Sequence, residues 1–552
     1  MKIGVLIRSF DSLRNHELRI IQGIIDSPEL ELSLLIMDGR VIDGSQASLI
    51  GKFKRLFISK NIFGRVLFGL QVFVERKLFF KEKYTVNKVA IIKKLNVIDT
   101  IKVKPVRKGF VDLFSESDVH EINEYKLDVI LRHEFNIIRG DILRSSTHGI
   151  WSFHHADNSI NRGGPPGFWE IIYKQPSVGV TLQQLTPELD GGLVIDKAFF
   201  NRHWSYVKTY DLILEGSVSI LFKNLKKLAA GTYATQKSMV YYNPLYKTPD
   251  YYHSIKYVFY FYANLAKVLM DRLSSRVLGV RYNCWTLFIG KGDFITSTLF
   301  RLEPIKLPNN EFWADPFIFN HEEKNYIFFE NYGYKTKKGK ISCGVIDGHN
   351  LIDVRDVLDL EYHLSYPCIF KEGGKIFLMP ETAGNNRLEI YECVEFPSKW
   401  KLYSTAFEGE KVFDASFYDD EKNQKWLFVN RRDNENCPSD SELYIYKVDS
   451  LRMERIEPHK NNPVIIDSRV ARNGGAIYKY ENMYYRPSQA NVDGVYGAAL
   501  NINKINKLTI EEYDEEIIVT TKPNFHEGLV SMHHLHQADG LFVIDAAFKK
   551  KH

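Results

Sequence analysis

The stretch HGIWSFHHADNSINRGGPPGFWEIIYKQPSVGVTLQQLTPELDGGLVI, residues 148–195, decides the fold of the amino-terminal part of the chain. An apolar strand predicted over Gly149–Phe153 ends in His154, so an imidazole lies at a strand terminus, where side chains reach a cleft. A second predicted strand, Val178–Leu185, precedes a tight turn that contains Asp190. A histidine and a distant aspartate at strand ends are the usual pair for a general base and the group that orients it.

A turn-rich loop, Asp157–Gly167, connects the two strands through a short helical run, Phe168–Lys174. Its glycines and prolines allow the backbone to fold closely around a ligand. Taken alone, a histidine on an apolar strand is more often a satisfied core residue than a catalyst, and a Gly-Gly-Pro-Pro run is only a loop. The functional interpretation therefore depends on several features that occur in one order.

Four features in this order resemble the formyltransferase family, which includes the methionyl-tRNA and nucleotide-sugar N-formyltransferases: His154, Arg162-Gly163, Gly179-Val180-Thr181 and Asp190. The resemblance implies a doubly wound, Rossmann-like α/β domain. It also implies that N10-formyltetrahydrofolate donates a formyl group to an amine, with an Asn, a His and an Asp as the catalytic residues.

Carried over by position, His154 matches the catalytic His of the family and Asp190 its catalytic Asp, but Ser152 stands where the family has its Asn. Loss of one oxyanion donor typically costs about a hundredfold to a thousandfold in rate. We expect the Ser152 hydroxyl, or the amide of Asn158, to take this role. The residues expected to line the substrate and cofactor loop are His155, Asp157, Asn158, Arg162, Gly163, Arg132 and His133.

The beginning of the chain fits a doubly wound sheet. Lys2–Ile7 is a nearly continuous apolar run, typical of a strand buried on both faces, and a helical pattern over Arg14–Ile25 leads to a second strand at Leu30–Met37. A further strand is predicted at Asp128–Leu131. The loop after it, Arg132–Asn136, lies where the resembled family places an apolar loop against the pterin ring, yet here it carries three ionisable residues.

Length and composition describe a globular protein of several domains. With 552 residues, 44% hydrophobic and 26% charged, the chain exceeds one ordinary core, and two to four domains are expected. A net charge of +5 gives no case for nucleic acid as the main partner. The five cysteines are widely spaced without a CxxC pair, so we expect reduced thiols and no metal site.

The sequence predicts a cytoplasmic location. The opening MKIGVLIRSF lacks the long apolar core of a signal peptide, and no run of eighteen uncharged apolar residues occurs. A basic insertion at about 45–85 contains the apolar segment Asn61–Phe80, interrupted by charges. A helix of this kind lies on a membrane surface or packs on its own domain or in a dimer interface. We favour the packed alternative, and keep peripheral contact with the inner face of the membrane as a possibility.

Three segments follow the first domain, which we place at 1–235 and expect a helix at Tyr206–Gly231 to close. A helical linker is predicted at 236–295, with the amphipathic pattern of His253–Leu273 at its centre. From about Trp285 onward, the helical pattern gives way to short aromatic strands separated by Gly, Asn and Asp turns. Each unit is a strand pair that recurs about every fifty residues, which predicts a five-bladed β-propeller over 296–552.

The first unit, with WADPFIF before YIFFEN, resembles the propellers of family 43 glycoside hydrolases. It resembles more closely the amino-terminal module of glucosamine inositolphosphorylceramide transferases. By that resemblance Asp315 matches the general base of the hydrolases, and Glu381 and Asp414 occupy comparable places. Because blade starts converge on the propeller axis, the expected channel residues are Asp315, Tyr366, Glu381, Asp414, Arg472, Asn473, Arg486, Gln489, His526, Glu527, His533 and His534.

Three hypotheses of function follow. The first is transfer of a formyl or related acyl group to an amino sugar in cell-surface polysaccharide biosynthesis, with the propeller binding a glycan, glycolipid or sugar nucleotide. In the second, the propeller carboxylates perform glycosyl transfer or hydrolysis, which requires an acid and a base at a defined separation. The third is a glycan-binding protein without catalysis, in which inward polar residues cap strands and order water. The oligomeric state is left open.

Overall fold

The structure, a computed structural model, describes residues 1–40, 61–78, 83–187, 192–233 and 245–551. The chain divides into two compact units, Met1–Ala263 with Asn434–Cys437 and Asn264–Asp433 with Pro438–His552. The first is mixed α/β and the second is almost entirely β. The prediction of a multidomain chain with these two classes is confirmed.

A seven-stranded sheet forms the centre of the first unit, in the order β11-β10-β8-β6-β1-β2-β3. The five strands from β8 to β3 are parallel, because helices connect them, and β10 and β11 run antiparallel at the edge. Its strands are β1 (Lys2–Ile7), β2 (Glu31–Asp38), β3 (Thr100–Val103), β6 (Val129–Arg132), β8 (Ile150–His154), β10 (Ser177–Gln184) and β11 (Leu193–Asn201).

Helices and two small sheets accompany this central sheet along the chain, and the last helix continues into the second unit. Ser115 caps one helix through its side chain, and Asn87 caps another, which satisfies backbone N–H groups that a helix start leaves open. The helices are α1 (Asn15–Asp26), α2 (Ile62–Leu78), α3 (Lys88–Leu95), α4 (Glu116–Asn123), α5 (Phe168–Ile172), α6 (Tyr206–Ala229) and α7 (Tyr251–Val277). The small sheets contain β4 (Val106–Lys108), β5 (Val111–Leu113), β7 (Ile137–Arg139), β9 (Arg162–Gly163) and β12 (Leu245–Tyr246).

The order of the central sheet brings three loops together. Strands β1, β6 and β8 are parallel neighbours, so the residues that follow them leave the sheet at one edge. These loops begin at Arg8, His133 and His155. The histidines predicted from sequence therefore lie at the carboxyl edge of the sheet, where doubly wound folds bind ligands.

The second unit consists of five antiparallel sheets that follow one another along the chain. Each predicted strand pair corresponds to part of one sheet. The first four sheets are β14–β17 (Glu311–His321, Lys324–Gly333, Lys338–Asp347, Asn350–Leu358), β18–β21 (Ser365–Glu372, Lys375–Glu381, Leu388–Glu395, Lys399–Ala406), β22–β26 (Val412–Asp419, Lys425–Arg431, Glu442–Val448, Ile456–Pro458, Ile465–Ile466) and β27–β30 (Tyr478–Tyr480, Met483–Val492, Val495–Leu508, Tyr513–Thr521).

The fifth sheet is built from both ends of the unit. Strand β13 (Arg281–Lys291) pairs antiparallel with β33 (Leu541–Lys551), which also pairs with β31 (Leu529–Ser531) and β32 (Leu535–Ala538). The predicted boundary is wrong here, because Arg281–Lys291 was assigned to the helical linker. Its alternating pattern was hidden by the helix that precedes it. That helix, α7, lies within the predicted linker as expected.

Part of the basic insertion, residues 41–60 and 79–82, lies outside the described residues. The described part of its apolar segment is α2, as the sequence predicts. Within the described ranges, no helix is long and apolar enough to cross a membrane.

Candidate functional site

The first strands of three successive sheets share one backbone device. Asp315 in β14, Tyr366 in β18 and Asp414 in β22 each have a positive φ, of 50°, 45° and 45°. In each strand the pairing register shifts across this residue, as at a β-bulge. A bulge re-aims the side chain at its position, and a left-handed conformation is uncommon for residues other than glycine. Because a left-handed backbone costs free energy at these residues, its repetition indicates that the three positions form a functional site.

Asp315 lies at the centre of this group and is only 6% exposed. Its Oδ2 accepts the backbone N–H of Tyr366 at 3.2 Å, and its Oδ1 lies 3.5 Å from Nε2 of His533 and from Nδ1 of His534. Burial alone would raise the pKa of this carboxyl, but His533, His534 and Arg472 outweigh it and lower the pKa to about 2. Asp315 is therefore an ionised carboxylate in a nearly dry environment.

His533 is held by a buried carboxylate, Asp545. Nδ1 of His533 lies 2.7 Å from Oδ1 of Asp545, and the same carboxyl accepts the backbone N–H groups of His533, His534 and Asp315. Burial would lower the pKa of His533, yet Asp545 and Asp315 raise it above its ordinary value. The imidazole stacks on Trp285 with ring centroids 4.0 Å apart. This residue is an oriented, readily protonated group beside Asp315.

Single ligand atoms of Asp315, His533 and Asp545 lie within 4.8 Å of one another, close enough to hold a cation. The oxygens of Asp545 already accept four N–H groups, so the arrangement first serves to fix His533.

Two glutamates near Asp315 have pKa values shifted in the opposite direction. Burial raises the pKa of Glu330 well above its ordinary value, and the neighbouring Asp315 and Glu381 raise it further. Burial also raises the pKa of Glu381, helped by Asp414, and Arg472 at 3.6 Å only partly counteracts this. Both glutamates therefore hold a proton more readily than an ordinary glutamate does, next to a carboxylate that is ionised.

Arg472 is the main positive charge of the site and is buried. Its Nε donates to Oδ2 of Asp414 at 2.6 Å and its Nη2 to Oδ1 at 3.2 Å, a two-point contact. Nε2 of Gln489 also donates to Oδ2 of Asp414, at 3.2 Å, while Oε1 of Gln489 has no hydrogen-bond partner among the described residues. Nε2 of His534, a fully buried residue, likewise has no hydrogen-bond partner there, whereas its Nδ1 faces Oδ1 of Asp315 at 3.5 Å. A polar ligand would satisfy these atoms.

Aromatic side chains border this group. Tyr496 is 42% exposed, packs its ring against that of His533 and lies under the guanidinium of Arg472 at 5.5 Å. Trp285 covers the other side of His533. Flat aromatic faces beside polar groups that can hydrogen-bond are the combination that sugar rings require, since a sugar presents apolar C–H faces and a hydroxyl rim.

The structure brings together six predicted channel residues, namely Asp315, Glu381, Asp414, Arg472, Gln489 and His534, with His533, Tyr366 and Asn473. Two others, His526 and Glu527, are placed elsewhere, and their prediction is wrong. His526 packs beside Phe288, and Glu527 is exposed on the surface. Arg486 borders the group, because its Nη1 donates to Oδ1 of Asn473 at 3.1 Å, and it pairs with Glu515 at 2.5 Å. Charge and order in the sequence did not distinguish residues that face the site from residues that tie one strand to the next.

Sequence reasoning missed Glu330, Asp545 and Trp285. Glu330 and Asp545 were detectable in principle, because each is a single acid inside a strongly apolar strand, β15 and β33, and such acids are seldom buried without a role. Trp285 carried no comparable signal.

The predicted catalytic centre of the first unit lies at the end of β8. His154 is half-buried there, and its Nε2 lies 2.8 Å from the carbonyl oxygen of Asn161. Because a carbonyl only accepts, Nε2 carries the proton in this contact. Asp190, its predicted partner, lies outside the described residues.

Ser152 is already engaged by a cation. Nη1 of Arg132 donates to Oγ of Ser152 at 2.8 Å, and Nε and Nη2 of Arg132 donate to the carbonyl oxygen of Phe135. Burial lowers the pKa of Arg132 without bringing it near neutrality. The guanidinium of Arg132 therefore lies beside Ser152, the position at which the formyltransferase family has its oxyanion donor. The charged guanidinium is a stronger hydrogen-bond donor than the Ser152 hydroxyl.

Three histidines, one buried and two half-buried, lie at the same edge of the sheet. Burial lowers the pKa of His133 to about 4 and that of His155 to about 3, and it lowers the pKa of His16 well below its usual range. Burial also raises the pKa of Glu17 to about 7, with its Oε1 3.8 Å from His133. Nε2 of both His133 and His155 has no hydrogen-bond partner among the described residues.

The remaining loop residues have structural partners. Asp157 accepts Nζ of Lys197 at 2.6 Å, and the backbone N–H of Asn158 points to Oγ1 of Thr181 at 3.5 Å. Arg162 and Gly163 form β9, which pairs with β12. A Cβ at Gly163 would lie 2.1 Å from a backbone oxygen of β12, so this glycine is explained by strand pairing.

Comparison with known proteins supports the interpretation of the second unit. Residues 301–533 match the family model described as glucosamine inositolphosphorylceramide transferase 1, N-terminal. A relative of that name from Oryza sativa subsp. japonica is 33% identical over 214 residues, which cover 38% of this chain and 28% of the relative. One from Arabidopsis thaliana is 32% identical over 213 residues, covering 38% and 27%. The chain thus spans little more than a quarter of these relatives, and the predicted resemblance to their amino-terminal module is confirmed.

Solved structures similar to parts of the chain include a thermostable family-43 glycoside hydrolase, with a TM-score of 0.32 and 14% identity over 43% of this chain and 88% of that one. Another is a sugar N-formyltransferase from a Shewanella species, with a TM-score of 0.28 and 15% identity over 44% of this chain and 76% of the other.

Proposed function

We propose that this protein takes part in sugar transfer to a lipid-linked or glycan-linked acceptor, and that the sugar is handled by the group around Asp315 in the second unit. The observation that carries the proposal is a group of buried carboxyls around Arg472 and His533 whose pKa values are shifted in opposite directions. Asp315 has its pKa lowered to about 2, whereas Glu330 and Glu381 have theirs raised well above the ordinary value. Carboxyl groups whose environments separate their pKa values are the means by which enzymes assign acid and base roles.

In such a transfer the Asp315 carboxylate accepts the proton of the attacking hydroxyl, and the neutral acid of Glu381 gives a proton to the departing oxygen. Arg472 and Asp414 fix the positions of these groups through their two-point contact. The exposed Tyr496 offers an aromatic face for the sugar ring.

The relatives support a transferase whose acceptor is a glycolipid. They are named glucosamine inositolphosphorylceramide transferases, and their similarity covers the sheets that hold Asp315 and His533. We also infer that the five sheets are the blades of one propeller, because β13 pairs with β33 and the first strands carry side chains that contact one another.

Substitution of Asp315→Asn tests this proposal, with Asp347→Asn as a matched control on an exposed position of the same sheet. The assays are transfer of labelled sugar from sugar nucleotides to an inositol-containing glycolipid, release of sugar from aryl glycosides, and calorimetric binding of oligosaccharides. Loss of a general base predicts a decrease of about a hundredfold or more in turnover for Asp315→Asn. Sugar binding without turnover that Asp315→Asn weakens would instead indicate a glycan-binding protein.

A second candidate function is transfer of a formyl or related acyl group by the first unit, favoured by His154 and Arg132. The imidazole of His154, at the end of β8, is suited to take a proton from an attacking amine, and the guanidinium of Arg132, with Ser152, to stabilise the oxyanion. N10-formyltetrahydrofolate is the proposed donor, and its bound form would supply the activated formyl group. The unpartnered Nε2 atoms of His133 and His155 fit a pterin, whose ring offers both donors and acceptors.

Formylation of amino-sugar nucleotides by the full chain, measured by mass spectrometry, tests this candidate. His154→Ala should abolish the product, while His120→Ala, at an exposed position of α4, should leave it unchanged. Activity lost only in His154→Ala assigns the chemistry to the first unit, and activity lost only in Asp315→Asn assigns it to the second. If no amino-sugar nucleotide is formylated and no folate analogue binds, formyl transfer is refuted.

A further inference from the structure

Helix α2 has a buried side and, opposite to it, an exposed side that is apolar. Gly64, Phe68, Gln71 and Glu75 recur at helical spacing and are buried against the first unit. The opposite side carries large apolar residues that also recur at helical spacing. These exposed residues are Phe63 (75% exposed), Val66, Leu70, Phe73 and Leu78.

The rotation of α2 about its axis is fixed by specific contacts. A Cβ on Gly64 would lie 2.4 Å from the backbone of Asp250, so only glycine permits this approach. At the other end, the buried carboxyl of Glu75 accepts the hydroxyls of Ser205 and Tyr257, each at 2.5 Å. A helix held by a buried acid and a backbone contact cannot turn its second apolar side inward, because doing so would expose these hydrogen bonds and leave Glu75 unpaired.

The first half of α7 repeats the pattern beside α2. Ser254, Tyr257 and Phe261 are its buried residues, and Oγ of Ser254 donates to the carbonyl oxygen of Gly64 at 3.0 Å. Tyr251, Tyr252, Phe259 and Tyr262 are exposed on the other side, with Phe259 at 73%. We call the exposed sides of α2 and of Tyr251–Ala263 the α2–α7 face.

The charges of the α2–α7 face are all positive. Arg65 and Lys77 on α2 and Lys256 on α7 are exposed. The acid within α2, Glu75, is fully buried, and Tyr251–Ala263 contains no acidic residue. Aromatic and aliphatic side chains between cations, without acids, are the composition of helices that lie in the interface of an anionic membrane.

We propose that the α2–α7 face lies on the surface of a lipid bilayer with anionic headgroups. The apolar side chains would enter the boundary between headgroups and acyl chains, and the cations would contact the headgroups. A second copy of the chain is the poorer occupant, because a symmetric contact would bring two identical cationic rims together. The inference is independent of the sugar chemistry, although it would hold the chain where a lipid-linked acceptor is found.

The test is flotation of the full chain with vesicles of phosphatidylcholine alone and of phosphatidylcholine with phosphatidylserine. Leu70→Ser combined with Phe73→Ser removes apolar contact. A matched control, Val106→Ser combined with Phe110→Ser, changes two apolar residues elsewhere in the first unit that are at least as exposed as Leu70 and Phe73. Even partial insertion of Leu70 and Phe73 predicts that their loss lowers the partition coefficient by about tenfold or more.

A charge variant, Arg65→Glu with Lys77→Glu, gives an independent measurement. It should lower binding to the serine-containing vesicles by about tenfold or more, and added salt should weaken the binding of the wild type. Thermal unfolding checks that each variant is folded. If the apolar variant does not fold, vesicle binding of the charge variant tests the proposal in its place. Binding of the apolar variant equal to that of its control would overturn the proposal. A wild-type dimer that the apolar variant converts to monomer would also overturn it, since the face would then be covered by a second copy.

Discussion

The ionised state of Asp315 has a measurable consequence for stability. The pKa of this carboxyl is lowered to about 2 in the folded protein, against 3.8 for an unperturbed aspartate. A difference of this size corresponds to roughly 2.5 kcal/mol of folding free energy at pH 7, since each pKa unit is about 1.4 kcal/mol. Asp315→Asn removes this contribution and places an amide among groups arranged around a carboxylate.

The dependence on pH distinguishes this cause from a simple packing defect. A group with a lowered pKa stabilises the folded state above its unfolded pKa, and the contribution is lost as pH falls through the folded pKa. Below the range in which His533 titrates, the stability difference between wild type and Asp315→Asn should therefore decrease by about half from about pH 5 to pH 3. A packing defect predicts a difference that does not change over this range.

Hydrogen exchange of β14 in increasing urea measures the local free energy of opening at each pH. The control is Asp347→Asn, at an exposed position at the end of β16 in the same sheet. It should change the local free energy of opening little at any pH. An Asp315→Asn difference that stays the same from pH 6 to pH 3 would refute the assignment of Asp315 as an ionised carboxylate. The acid and base roles proposed for Asp315 and Glu381 would then have to be abandoned.

Three further outcomes are expected. Glu75→Gln should destabilise the first unit by about 1–3 kcal/mol in urea unfolding, because a buried acceptor of two hydroxyls loses its charge. Gly163→Ala should cost more than about 2 kcal/mol, since its φ is 98° and β12 leaves no room, while Gly109→Ala, with φ of 63° in open space, should cost only about 1 kcal/mol. The NMR titration of His533 should have its midpoint above the ordinary histidine pKa, and Asp545→Asn should lower it; an unchanged midpoint would mean that Asp545 does not control this imidazole.

The parts of the fold that follow from periodicity were predictable from the sequence. Lys2–Ile7 reads as a strand buried on both faces and lies near the centre of the sheet, and the recurring strand pairs correspond to the sheets of the second unit. The strand Arg281–Lys291 was not predicted, because it pairs with residues some 260 positions later. A local pattern carries no information about such a distant partner.

The candidate sites were predictable to the level of strand ends but not of partners. The sequence predicts that Asp315 and His154 lie where side chains leave a sheet. It does not predict that Arg132 donates a hydrogen bond to Ser152 or that Asp545 forms one with His533. Hydrogen bonds of this kind depend on the direction in which a side chain leaves the backbone. At Asp315 that direction is set by a left-handed residue in a bulge, which composition does not reveal.

The same limit explains why the amphipathic pattern of 61–80 admitted both a packed helix and a membrane-surface helix. A helix with apolar residues on two sides satisfies either pattern, and the sequence does not say which side faces the protein. Glu75 resolves the choice in the structure, because a buried acid needs the hydroxyls of Ser205 and Tyr257, and these residues come from two other helices. Once that side of α2 is committed inward, Phe63, Leu70 and Phe73 must face outward. The packed interpretation and the membrane interpretation are therefore compatible, since each describes a different side of one helix.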